Sequence, residues 1–324
     1  MMSNPFPQIN KRVAVIGANG YLGSSLVVEL IKEQYVVTRV SKKNERVIPN
    51  TFAVSGDLCD ADFCRTITEK NDIIFLLSGN TSIKEAENDP IKNLATTVFP
   101  IINIINAARE LRKIPRIIFA STATIYGLTP DVPIKETYVP KPITNYDLHK
   151  LFGEQQLNLA SELGYVEGIS LRLANVYGPS SNQSSSIDRG IINKAAVDAI
   201  NGKNLTLYGD GNQIRDYIYI SDAINAIKSV GVDYKLKNGT FNVASGSGTK
   251  MVQVFELIQK YIKTETGQNI PINQIPWPEI ANDIDRRNFT ADILKINGEI
   301  GWIPTVNIKE GVYLLIHSLL HNKV

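Results

Sequence analysis

The chain has 324 residues, enough for two domains or one large one, and 43% of them are hydrophobic, which excludes a disordered polymer. Lys and Arg number 34 against 32 Asp and Glu, a net charge of +2, too even for nucleic acid or an anionic membrane to be the main partner. No run approaches the roughly 20 apolar residues of a membrane span, and the polar start Met1–Gln8 reads as a short disordered tail on a cytoplasmic protein.

In chain order, Val13–Ile16 is a short β-branched run that ends in glycine. Ser24–Gln34 has helical spacing with Leu26, Val27, Leu30 and Ile31 on one side. Tyr35–Val40, Phe52–Val54, Ile73–Leu77 and Ile117–Ala120 read as strands, and Pro90–Arg112 as a long helix. Uninterrupted apolar strands with helices between them predict an α/β fold, a doubly wound parallel sheet of Rossmann type. Further on, Asn145–Leu163 reads as a helix, Gly168–Leu173 as a strand and Ser180–Ser186 as a polar loop bordering a site. Ile191–Ile200 and Val252–Ile262 read as helices, Phe241–Ala244 as a strand, Pro276–Pro278 as extended, and Ile308–Leu320 as the closing helix. The expected division is a dinucleotide-binding domain over 1–176, with segments returning near 215–244, interleaved with a smaller substrate domain over 177–324.

Two cysteines, Cys59 and Cys64, make no disulfide framework. The three histidines, His149, His317 and His321, show no metal-ligand spacing, so no metal is expected.

Gly17-Ala18-Asn19-Gly20-Tyr21-Leu22-Gly23 follows a strand and opens a helix. Gly17 permits the turn out of the strand, Gly20 admits a pyrophosphate to the backbone, Gly23 lets the helix pack on the sheet, and the helix start offers free N–H groups. After the second strand comes Arg39-Val40-Ser41-Lys42-Lys43, with no carboxylate before Glu45 to hold a ribose 2′-hydroxyl. Arg39, Ser41, Lys42 and Lys43 suit a 2′-phosphate, which predicts NADP, with NAD as the alternative. Tyr146 and Lys150 share a helical face, and Ser121-Thr122 ends an apolar strand, where ligands bind in such folds. A phenol has a pKa near 10 and is a poor base at neutral pH, but a neighbouring ammonium and an oxidised nicotinamide favour the phenolate. Tyr146 could then exchange a proton with a sugar hydroxyl.

The chain resembles the extended short-chain dehydrogenases, in the nucleotide-sugar epimerase/dehydratase group. The pieces that carry the likeness are Gly17–Gly23, Gly56-Asp57-Leu58, Asp89-Pro90, Ser121–Gly127, Asn145–Lys150, Arg172–Pro179, Tyr208–Gly211, Arg215-Asp216 and Ala291-Asp292. The resemblance implies that Asp57 and Leu58 contact the adenine side of the cofactor, and that Thr122 bonds the reacting sugar oxygen beside Tyr146. It implies that Lys150 holds the nicotinamide ribose, that Asn175 binds a substrate phosphate, and that Arg215 and Arg286 clamp a nucleotide diphosphate, with Arg287 competing for the place of Arg286. It also implies a homodimer built on the helices Pro90–Arg112 and Asn145–Leu163.

Departures from the family narrow the reaction. Ala123 and Thr124 stand where dehydratases carry an Asp-Glu pair, the glutamate of decarboxylase-like members is missing there too, and no cysteine lies near the site. His149 replaces a serine and reads as a solvated helical histidine, with an auxiliary acid as the alternative. Thr97 replaces an asparagine that contacts the cofactor. Simple redox at one sugar carbon, usually C4, is what remains. The basic turn favours a ketoreductase that uses NADPH on a 4-keto nucleotide sugar. The alternatives are a C4 epimerase with retained NAD, favoured by the Ser121–Gly127 run, and a non-catalytic NADP-binding sensor.

Overall fold

Strands that are apolar at every position must be covered on both faces, and the chain meets that need with one seven-stranded sheet. The computed structural model describes residues 11–42, 47–79, 82–129, 132–182, 190–279 and 283–321. The strands of the sheet are β1 (Arg12–Ile16), β2 (Val36–Ser41), β3 (Thr51–Ser55), β4 (Ile73–Leu76), β5 (Arg116–Thr122), β6 (Glu167–Leu173) and β10 (Gly239–Val243). Their order is β3-β2-β1-β4-β5-β6-β10, and every pairing is parallel. The chain therefore reverses direction across the sheet between β1 and β4, and ligands of such sheets bind outside the strand ends at that switch point.

Alternation within each strand divides the core. Val13 and Val15 of β1 pack with Leu26, Val27 and Leu30 of α1 (Tyr21–Lys32), whereas Ala14 and Ile16 pack with Ile101 and Ile104 of α4 (Pro90–Leu111). The face that includes α4 also carries α2 (Ala61–Lys70) and α5 (Asn145–Glu162), and α7 (Ile220–Val232) covers the other with α1. The three helices on the α4 face each start at a polar side chain that caps them. The Asp60 carboxylate accepts from the N–H groups of Asp62 and Phe63, Asp89 accepts from that of Lys92, and Thr144 from that of Asp147. Helix α7 was not anticipated from the sequence, although eight of its thirteen residues are buried against the sheet. Helix α2 carries only a narrow buried stripe of Cys64, Ile67 and Thr68.

The seventh strand, β10, comes from the far half of the chain, as does a small sheet in which β9 (Ile214–Tyr219) pairs with β7 (Asn175–Tyr177) and β11 (Gly248–Lys250). A two-stranded ribbon joins β8 (Leu205–Tyr208) to β12 (Ile272–Ile275), and α6 (Gly190–Ile200), α8 (Met251–Thr266) and α10 (Ile308–His321) pack together beside them. Asp216 ties these pieces to each other. It is fully buried, and its carboxylate accepts from the N–H groups of Ser245, Gly246 and Ala291 and from the Ser245 hydroxyl. No described helix is long and apolar enough to cross a membrane.

Candidate active site

A cleft of about 1360 Å³ opens at the switch point. Gly17, Asn19, Gly20, Tyr21, Leu22 and Gly23 line one end, with Ser41, Lys42, Asp57 and Leu58 beside them. Thr122, Tyr146, Lys150 and Asn175 line the other. These residues come from segments up to about 160 positions apart, brought together at the carboxyl ends of β1, β2, β3, β5 and β6 and on α5.

The glycine turn is shaped for close approach. Gly17 has a φ of +86°, and a Cβ there would stand 2.9 Å from the Ser78 nitrogen that follows β4. A Cβ at Gly23 would stand 2.1 Å from the Gly17 carbonyl oxygen. Gly20 at the start of α1 has no side chain to cap the helix, and the first turn holds no acidic residue, so the helix turns its positive end to the cleft. Two buried polar atoms of the cleft wall, the Ser78 hydroxyl and the Asn93 amide nitrogen, also lack a partner among the described residues. A narrow cleft with an uncapped helix and two orphaned polar groups fits a dinucleotide phosphate backbone.

At the catalytic end, Tyr146 is nearly buried and Lys150 is fully enclosed. The Lys150 ammonium donates to the Ala120 carbonyl at 2.7 Å and lies over the Phe119 ring. Burial pulls its pKa down to about 8, and the Glu154 carboxylate one turn along α5 opposes that fall. Glu154 accepts from the Ser121 hydroxyl and forms a buried bidentate pair with Arg172, whose guanidinium also donates to the Tyr126 hydroxyl at 2.9 Å.

The sequence did not reveal the partner of Thr122. Its hydroxyl lies 2.8 Å from that of Thr124, and Thr124 donates a short hydrogen bond to Asp147, which is fully buried. The other Asp147 oxygen has no partner among the described residues. The residues after Thr122 cannot themselves act as acid or base, but α5 delivers a carboxylate to them from 23 positions away. Asn93 was also missed. It lies one helical turn before Thr97, on the same side of α4, and lines the cleft, whereas Thr97 is buried away from it.

Several expectations from the sequence change. Arg39 does not reach the cleft. It is 1% exposed, its Nε donates to Thr51 of β3 at 2.9 Å, and among the described residues of the basic turn Val40, Ser41 and Lys42 line the cofactor end. Lys43 and Glu45 lie outside the described residues, as do Met1–Asn10 and the part of the polar loop from 183 onward. His149 is not solvated. It is buried, its Nδ1 lies 2.7 Å from the Asn93 side-chain oxygen, and burial lowers its pKa. Neither Arg215 nor Arg286 lines the cleft. Arg215 donates to the carbonyls of Ile284 and Asp285, and Arg286 stands exposed over Trp277. Arg287 is instead the buried member of that pair, close enough to Arg215 for burial and the second guanidinium to lower its pKa to about 10. The histidines are not all isolated, since His317 and His321 lie one turn apart on α10 beside Glu265.

The model of the NAD-dependent epimerase/dehydratase family matches residues 13–244. The chain belongs to this family. Among curated members it is 26% identical to a putative UDP-glucose 4-epimerase of Methanocaldococcus jannaschii, over 96% of this chain and 99% of that one. It is 30% identical to a UDP-glucose 4-epimerase of Mycoplasma genitalium, over 77% of this chain and 81% of that one. The crystal structure of Thermus thermophilus UDP-glucose 4-epimerase, a complex with NAD, superposes with a TM-score of 0.83 at 25% identity, over 96% of this chain and 99% of that one. The Thermotoga maritima UDP-glucose 4-epimerase, solved with UDP-glucose, gives 0.85 at 24% identity over 96% and 99%, a likeness of fold. The family match covers the glycine turn, Thr122, Tyr146 and Lys150 alike.

Proposed function

We propose that this family member is a nucleotide-sugar C4 epimerase that keeps NAD bound between turnovers. The observation that carries the reading is that Thr122, Tyr146 and Lys150 share one cleft with the glycine turn, in a chain several of whose relatives over 90% or more of its length bear the name UDP-glucose 4-epimerase. UDP-glucose and UDP-galactose are accordingly the first substrates to try. The relatives favour this reading over reduction of a 4-keto sugar by NADPH. So does the burial of Arg39, which leaves Lys42 as the only described cation of the basic turn beside the cofactor end.

Gly17, Asn19, Gly20, Tyr21, Leu22 and Gly23 would hold the pyrophosphate, Asp57 and Leu58 the adenine side, and Lys150 the nicotinamide ribose. Nicotinamide held there would supply reversible hydride chemistry at sugar C4, on either face of the 4-keto sugar. Tyr146 takes the proton of the C4 hydroxyl and gives it back, with the Lys150 ammonium favouring its phenolate. Thr122 bonds the same sugar oxygen by turning onto it the proton it otherwise gives to Thr124, which is itself held in place by donating to Asp147. Asn175 binds a substrate phosphate, and Arg215 takes the diphosphate together with the pair Arg286 and Arg287, exchanging carbonyl partners for phosphate oxygens. Residues 1–176 serve mainly the cofactor and 177–324 mainly the sugar, and two copies pair through α4 and α5.

The test is interconversion of UDP-glucose and UDP-galactose by purified protein without added cofactor, together with nicotinamide that survives gel filtration. Turnover that consumes NADPH stoichiometrically with a 4-keto sugar would establish the reductase instead, and cofactor binding without turnover the sensor.

A further inference from the structure

We propose that the carboxyl ends of α8 and α10 form a binding site for a divalent transition cation, of which zinc is the representative, with Glu265, His317 and His321 as ligands. His317 and His321 stand four positions apart on one helix, with ring centroids 4.3 Å apart. The Glu265 Oε2 atom reaches both. It lies 3.6 Å from Nε2 of His321 and 3.9 Å from Nδ1 of His317, and one donor atom from each residue falls within 4.8 Å of the others. Ligands about 2.0–2.2 Å from a tetrahedral zinc are separated from each other by roughly 3.4 Å. The donor separations present, at most 4.8 Å, exceed this by no more than about 1.4 Å.

A second observation points to a cation at this place. Glu265 lies in the last turn of α8 and His321 is the final residue of α10, so the negative ends of both helix dipoles lie near the same spot. The ligand set is also partly held in position. The ring of His317 stacks on Tyr313 at 5.8 Å, and Tyr313 meets Tyr261 of α8 edge to face at 5.6 Å. Two imidazoles and one carboxylate select zinc, copper, nickel or cobalt over the oxygen-seeking calcium and magnesium. The imidazoles are 50% and 57% exposed, so water can complete the coordination and ions can enter directly. Residues of α8 and α10 do not line the catalytic cleft. The ion would therefore clamp two helices together and take no part in turnover.

The experiment is calorimetric titration of the untagged full-length protein with zinc, beside His317→Ala, His321→Ala and Glu265→Gln variants. Saturable uptake of one ion per chain is expected, weakened about tenfold or more by each substitution, and an excess of calcium or magnesium should not displace it. Zinc should raise the melting temperature of the wild-type chain and leave that of the His317→Ala/His321→Ala double variant unmoved. Because both histidines are exposed, the double variant should fold and keep its epimerase activity. Absence of zinc uptake, or uptake that persists in the double variant, overturns the site. These readouts do not depend on the catalytic reading.

Discussion

Enclosed beneath the cleft, the Lys150 ammonium sits where losing its proton matters. Its pKa lies at about 8 in the folded chain against an ordinary value of 10.5. The unfolded chain thus binds the extra proton between these values. On this group's account the penalty for burying the charge is fully present below about pH 8 and is relieved as the pH rises toward 10.5. Activity should run the other way, because the neutral amine no longer favours the Tyr146 phenolate. We expect the pH profile of kcat/KM to fall above about pH 8, or lower once oxidised nicotinamide adds its own positive charge, and Lys150→Met to lose that limb. Tyr146→Phe should lower kcat by about 10²–10⁴-fold with a much smaller change in KM, since the hydroxyl acts mainly as the proton moves. Asp147→Asn weakens the acceptor that anchors Thr124 and so loosens the position of the Thr122 hydroxyl beside the substrate. A loss in kcat of roughly ten- to a hundredfold at nearly constant KM is expected, and an unchanged kcat would remove Asp147 from the chain of hydrogen bonds.

At the scale of elements, the site stands on two tight junctions. The first is the packing of α1 against the glycine turn. Gly23→Ala places a methyl group 2.1 Å from a backbone oxygen that no side-chain motion can relieve. Helix α1 must shift, at a cost of roughly 1–3 kcal/mol, and the protein should be purified with less nicotinamide bound. The second junction is the buried network that joins β5, α5, β6 and β10. Ser121, Glu154, Arg172, Tyr126 and Asn242 are hydrogen-bonded in series across it. Glu154→Ala leaves the Arg172 charge buried without its carboxylate and should cost roughly 3–5 kcal/mol in urea denaturation. A loss under about 1 kcal/mol would mean that the pair is merely tolerated. Segment 180–182 adds a smaller latch. The Ser180 hydroxyl bonds the Tyr21 carbonyl at 2.8 Å, and Asn182 bonds that of Asn19 at 2.8 Å, fastening the far half of the chain onto the cofactor turn.

For the molecule as a whole, α4 and α5 lie side by side and leave Ile91, Phe99, Phe152, Leu159 and Leu163 exposed. Apolar surface of this kind on neighbouring helices suits a second copy of the chain. Sedimentation should show a dimer, and Phe99→Asp with Phe152→Asp should yield monomers. A wild-type monomer would leave that face without its proposed occupant. Much of the architecture was legible in the residues. Consecutive apolar positions in Ile73–Leu76 and Ile117–Ala120 can only be buried on both faces, and glycine spacing after Val13–Ile16 restricts a turn to one use, because both signals are local and chemical. Tyr146 and Lys150 were legible for the same reason, four positions apart on one helix. What the tertiary structure alone decided is which side chains meet across distant segments. Arg39 looks like a phosphate ligand until β3 puts Thr51 beside it, Thr124 looks inert until α5 brings Asp147, and His317 and His321 look idle until α8 carries Glu265 to them. Such pairings depend on the order and crossing of whole elements, and a side chain's partner follows from that packing rather than from its neighbours in the chain.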